Sequence, residues 1–165
     1  GGAGLLGIQH AEAIAGAGGS PVLVDVDADR LQNARAAVEM RHGVQVLCEV
    51  ADVTDRGELG GVLQRVLESS GKVDILVNNA GIMMVPYGTT EDGFERQFGT
   101  NHLGHFALTG LLLDILLKTS GSRIVNVSSS AHKWGKMDFE NPLFENGKDY
   151  SPMKSYARSK LSNLL

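Results

Sequence analysis

The 165-residue sequence has one cysteine, which rules out an internal disulfide framework. That residue, Cys48, lies inside the apolar run Val44 to Val50, where it reads as a small packed hydrophobe rather than a reactive thiol, and a reducing, cytoplasmic setting is the expectation. Basic runs are missing as well. With 15 Lys and Arg against 19 Asp and Glu the formal charge is -4, without the electrostatic footprint of a nucleic-acid-binding protein. No apolar stretch is long enough to cross a bilayer: the longest, Leu103 to Leu117, is broken by Gly104, His105, Gly110 and Asp114 and reads as a buried helix. The start carries no signal-peptide pattern. Metal-ligand spacing is also lacking, since His102 and His105 stand three apart on a predicted helix with no carboxylate or cysteine suitably placed beside them. There is no internal repeat and no linker.

What is present is an apolar content of 42% over one domain's length of chain, enough to bury a core. Helix and strand signals alternate. Ala11 to Ala17, Asp29 to Met40, Asp55 to Ser69, Glu91 to Lys118 and Lys154 to Leu165 read as helices, the fourth bent near Gly99 or Gly104. Val22 to Val26, Val44 to Val50, Val73 to Val77 and Arg123 to Val127 read as strands. Near-continuous apolar strands between helices predict the α/β class, with a parallel sheet covered on both faces. From Ser128 to Ser151 the chain turns polar, with Trp134, Phe139 and Phe144 interspersed, and reads as an ordered excursion over a site.

Tyr156 and Lys160, spelled YARSK, are four apart on the last predicted helix, so both side chains face one point. An ammonium beside a phenol favours the phenolate, which suits a proton donor and acceptor near neutral pH. The same chain carries Ser129 after the run Ile124 to Val127, Asn101 in NHLG, and NNAG from Asn78 to Gly81. It opens with GGAGLLG, in which Gly1, Gly4 and Gly7 are the positions for close backbone approach to a phosphate at a helix N-terminus. Taken alone, that cluster reads equally as a flexible turn. Asp25 ends VLVD, where a carboxylate can accept hydrogen bonds from ribose hydroxyls; it reads alternatively as a strand end or turn cap, as Asp27 and Asp29 do. Asp52 in ADVTD is open to the same second reading, with Thr54 and Asp55 as the other cap candidates for the following helix.

Together these residues resemble the short-chain dehydrogenase/reductase superfamily over essentially the whole chain. The stretch from NNAG through NHLGHF, RIVNVSSSAH and YARSK is similar to its retinol-dehydrogenase-like members. The resemblance implies a Rossmann-type doubly wound parallel sheet, a single NAD(P)-binding domain over residues 1–165, and hydride transfer between an alcohol and a ketone or aldehyde. It implies roles too. Tyr156 gives a proton to the carbonyl oxygen, Ser129 hydrogen-bonds that oxygen, Lys160 tunes the phenol and bonds the nicotinamide ribose, and Asn101 binds a water linking Lys160 to solvent. The choice of Ser129 over Ser128 and Ser130 follows from aligning NVSSSA with the family's usual pattern. Gly1, Gly4 and Gly7 would approach pyrophosphate, and Asp25 would select NAD over NADP. Asp52 would contact adenine with Val53 beside it. Asn79, Ala80 and Gly81 would border the cofactor ribose, Asn78 and Gly81 also steadying the central sheet.

Two departures from the family pattern stand out. The glycines read as GxxGxxG, without the usual preceding Thr, which resembles enzymes of nucleotide sugars and keeps an epimerase or dehydratase as an alternative, beside a non-catalytic NAD-binding scaffold. Ser129 and Tyr156 are 27 residues apart, a long interval shared by retinol-dehydrogenase-like relatives. Within it Trp134, Phe139 and Phe144 either wall an apolar pocket together with Ile82 to Tyr87 or anchor the loop. By the resemblance, the strand before the glycine turn and those after the YxxxK helix lie outside these residues. The expectation is therefore an incomplete domain, inactive alone. The expected partner is a small alcohol or carbonyl substrate, with no nucleic acid, no membrane span in this segment, and a homo-oligomer for the full-length protein.

Overall fold

Apolar runs punctuated by acidic caps divide the chain into α1 (Leu5–Gly16), β1 (Val22–Asp25), α2 (Ala28–His42), β2 (Leu47–Val50), α3 (Arg56–Ser70), β3 (Ile75–Asn78), α4 (Arg96–Phe98), α5 (Gly104–Lys118), β4 (Arg123–Asn126) and α6 (Pro152–Ser162). A π-helical turn, Gly99–Leu103, joins α4 to α5, and 3-10 turns occupy Ser130–Trp134 and Glu145–Gly147. This computed structural model describes residues 1–53 and 55–165. Asp27 caps α2 by accepting from the Arg30 amide at 3.0 Å, and Asp55 caps α3 by accepting from Glu58 at 2.9 Å. Each such cap contributes about 1 kcal/mol. Thr54, the other candidate for α3, lies outside the described residues.

The chain forms two compact units, Gly1–Asp74 with Asp114–Ser122, and Ile75–Leu113 with Arg123–Leu165. In the first, β1 and β2 pair in parallel, Val22 opposite Leu47 through Asp25 opposite Val50. Successive side chains on β1 point to opposite faces. Leu23 joins Ala11 and Ala15 of α1 and Leu31, Ala34 and Val38 of α2, whereas Val24 and Leu47 pack with Val62 and Val66 of α3. Both faces are thus covered, as parallel strands require. Two boundaries differ from expectation by more than two residues. α1 begins at Leu5, as soon as the chain leaves Gly4, rather than at Ala11. The second strand starts at Leu47 rather than Val44, because the amide of the buried Val46 is taken by a Glu39 carboxyl oxygen at 3.0 Å.

In the second unit β3 pairs in parallel with β4, from Ile75 opposite Arg123 to Asn78 opposite Asn126. Its interior is polar: Asn78, Glu95, Gln97, Asn101, Ser155, Arg158, Ser159 and Lys160 are buried alongside Phe98, Phe144 and Ala157. Burying so many polar groups is stable only where each finds a partner. The helix expected from Glu91 starts at Arg96 instead, since Glu95 turns its carboxyl onto the amides of Gln97 and Phe98 at 3.0 and 2.8 Å and ends the preceding turn. Among the described residues no helix is long and apolar enough to cross a membrane.

Candidate active site

At the start of the chain the Gly2 amide bonds the Val24 carbonyl at 2.8 Å, which lays the glycine turn along the end of β1. Gly4 is the N-cap of α1 and brings no side chain, so the first amides of the helix are open to an anion. A Cβ at Gly7 would overlap the Gly1 and Gly2 carbonyls, so only glycine allows this tight approach. Asp25 ties the turn down. Its Oδ2 accepts from the Ala3 amide at 3.1 Å, while Oδ1 accepts from the Asp27 amide at 3.2 Å. Asp25 thus braces the turn at the end of β1, as its reading as a turn cap expects. An uncapped helix start, a cradle that a Cβ would fill and a terminal carboxylate fit a dinucleotide. Asp52 and Val53 follow β2, and Asp52, which is exposed, donates its amide to Glu58 at 2.7 Å.

The second unit gathers the other candidates. α6 carries Tyr156 and Lys160 one turn apart, with the Lys160 ammonium 5.9 Å from the phenol ring centre. Lys160 is 4% exposed; its Nζ donates to the Val127 carbonyl at 3.2 Å, and burial lowers its pKa. The half-buried Tyr156 makes no hydroxyl hydrogen bond to any described residue. Asn101 is fully buried in the π-helical turn, where its Oδ1 accepts from the Ile82 amide at 2.8 Å and its Nδ2 donates to the Ile82 carbonyl and to Ser159 Oγ at 2.9 and 3.0 Å. π-helical turns are commonly found at functional sites. A Cβ on Gly81 would lie 3.3 Å from Asn101 Oδ1 and 3.4 Å from Lys160 Nζ, so the NNAG turn runs directly beside both. Asn79 and Ala80, both half-buried, precede it, and Asn78 clamps the unit by donating to Thr109 Oγ1 at 3.0 Å and Asn126 Oδ1 at 2.7 Å.

The serines separate by partner. Ser128 Oγ donates to the Lys160 carbonyl at 2.7 Å, Ser129 Oγ accepts from the Ala131 amide at 3.2 Å, and Ser130 is exposed. Of the three aromatics singled out in the long interval, Phe144 is 2% exposed and acts as an anchor, whereas Trp134 and Phe139 are 69% and 85% exposed. Ser159 was not singled out from the sequence, although its place inside YARSK was a usable signal. It links Asn101 to α6 and donates to the Tyr156 carbonyl at 2.8 Å.

Comparison with known proteins shows the family. The family model for short chain dehydrogenases matches residues 1–140. Retinol dehydrogenase 12 of Mus musculus is 44% identical over 140 residues, covering 83% of this chain and 44% of its own length. Retinol dehydrogenase 13 of Homo sapiens is 39% identical over 163 residues, covering 97% of this chain and 48% of its own. The chain thus spans about half the length of these relatives. Among solved structures, an uncharacterised protein from Mycobacterium Paratuberculosis superposes with TM-score 0.82 at 39% identity, over 99% of this chain and 56% of that one. NAD+-bound xylitol dehydrogenase gives 0.72 at 27% identity over 98% and 57%. A short-chain dehydrogenase from Sphingobium yanoikuyae in complex with NADPH gives 0.75 at 26% over 99% and 59%. The alternation of helices and parallel strands is that of the Rossmann-type fold. The chain belongs to the short-chain dehydrogenase/reductase family and is similar, within it, to the retinol dehydrogenases.

Proposed function

We propose that the full-length protein is an oxidoreductase that moves hydride between a nicotinamide cofactor and an alcohol, ketone or aldehyde, with Tyr156 as general acid and base. Lys160 is the observation that carries this reading. Its ammonium is buried one turn from Tyr156 with a single carbonyl partner, and no carboxylate pairs with it among the described residues. Keeping an unpaired cation out of water costs about several kcal/mol, so a fold that retains one has a use for the charge.

When bound, the cofactor supplies or accepts the hydride. The charge left on the substrate oxygen is met by the Tyr156 proton, and the Ser129 hydroxyl supplies a second hydrogen bond to the same oxygen. Lys160 places a positive charge near the phenol as its proton leaves. Asn101 fixes Ile82 and Ser159 around that lysine, and its Oδ1 keeps a lone pair for a water. Gly1, Gly4 and Gly7 would hold the pyrophosphate, Asp52 and Val53 would border the adenine, and Asn79, Ala80 and Gly81 would border the nicotinamide ribose. Asp25 accepts from the adenine ribose and would repel a phosphate there, so NADH is the preferred cofactor and equal kinetic efficiency with NADPH would contradict that assignment.

Tyr156→Phe in the full-length protein tests the mechanism. Turnover should fall about a hundredfold or more while NAD affinity stays within about twofold, because the phenol acts in chemistry rather than in nucleotide binding. A variant as fast as the parent would refute the assignment.

A further inference from the structure

Helix α6 has two working faces. Tyr156 and Lys160 share one, and Arg158, two residues after the tyrosine, points to the other side of the helix. Arg158 is 7% exposed, so its donors must all be placed within the protein. Nε donates to the Lys136 carbonyl at 3.1 Å, and one terminal nitrogen donates to the carbonyls of Asn141 and Pro142, both at 2.8 Å. The other terminal nitrogen stands 3.9 Å from the Asp138 carboxylate, and the guanidinium lies 4.0 Å above the Phe144 ring. Every hydrogen bond of the guanidinium goes to the backbone of one segment, so the arginine fixes the path of residues 136–144, with the Asp138 and Phe144 side chains beside it.

That path continues to the front of the site. Phe144 meets Tyr150 edge-on at 5.5 Å, and Tyr150 meets Tyr87 at 5.3 Å. The Tyr150 hydroxyl donates to the Val85 carbonyl at 2.7 Å and accepts from Gln97 Nε2 at 3.0 Å, while Gln97 Oε1 accepts from the Met84 amide at 2.8 Å. Residues 82–87 leave the NNAG turn beside Lys160 and Asn101, and Met83, Met84 and Tyr87 stand exposed on them. We propose that Arg158 is a positioning residue which, through segment 136–144 and the Phe144–Tyr150 contact, holds the 82–87 loop as an apolar wall that orients a large apolar alcohol or aldehyde before Tyr156. This rests on the oxidoreductase reading. It adds a residue that acts without touching the substrate.

The test compares the full-length parent with Arg158→Leu and Arg158→Lys, by amide hydrogen exchange and by NADH-dependent reduction of all-trans-retinal and of butanal. In Arg158→Leu, exchange over 136–150 and 82–87 should quicken about tenfold while β3 and α5 stay within about twofold. KM for retinal should rise about tenfold, with kcat for butanal within about twofold, and Arg158→Lys should fall between parent and leucine variant. Unchanged protection of 82–87, or an equal rise in KM for both aldehydes, overturns the proposal. If the leucine variant does not fold, the lysine variant decides by the same two readouts. A parent that reduces neither aldehyde refutes the oxidoreductase reading for these substrates, and exchange over 82–87 then decides the positioning role alone.

Discussion

His105 is 5% exposed, and neither ring nitrogen makes a hydrogen bond of good geometry, although the Asn101 carbonyl one turn earlier favours its protonated form. Burial first, and the Lys160 ammonium second, hold its pKa down to about 4. An unfolded chain takes up this proton near about 6.5 while the folded one refuses it, so the stability tied to the neutral ring is complete above that pH and lost as the pH falls toward the folded value. The full difference is about 3 kcal/mol. Full-length His105→Gln should therefore lose less stability than the parent between pH 6.5 and 4.5 in urea titrations, and parallel losses would contradict the argument. At this scale the proximity of Tyr156 and Lys160 was legible, because four residues on a helix bring two side chains together wherever the helix lies. The packing of His105 was not: its spacing from His102 says only that both lie on one side of α5 and its preceding turn.

At the scale of elements, one buried carboxyl joins two helices. Glu95 is 1% exposed, caps α4 through the amides of Gln97 and Phe98, and accepts from Ser155 Oγ in α6 at 2.5 Å. Glu95→Ala leaves two amides and a hydroxyl without this acceptor in the interior, at a cost of about 3 kcal/mol, whereas Glu95→Gln keeps one acceptor oxygen and should cost less than about half of that. Chemical denaturation of the full-length variants measures both, and a loss below about 1 kcal/mol in the alanine variant would mean that water replaces the carboxyl. Sequence signals place most elements within a few residues, since Asp27 and Asp55 announce their helices and β-branched runs announce the strands. They fail at Glu95 because EDGFERQF has a helical look, and a side chain that folds back onto its own amides leaves no periodicity to read. They also miss that Val46 spends its amide on Glu39 instead of the β-ladder.

Across the whole molecule the candidate residues divide between the two units. Gly1–Asp74 with Asp114–Ser122 has an aliphatic core and carries the glycine turn and Asp25; Ile75–Leu113 with Arg123–Leu165 has a polar interior and carries Asn101, Ser129, Tyr156 and Lys160. Order along the chain made both halves legible. The buried network of Glu95, Gln97, Tyr150 and Arg158 was not, because its partners come from segments up to 65 residues apart and only the folded chain brings them together. In the proposed mechanism Tyr156 and Lys160 act as one unit. A double-mutant cycle in the full-length protein, with Tyr156→Phe, Lys160→Met and the pair, tests it most directly. Each single change should cut kcat by about a hundredfold and the double change by about the same factor, since removing either partner disables the unit. Losses that multiply to about ten-thousandfold would show two residues acting independently and would contradict the account.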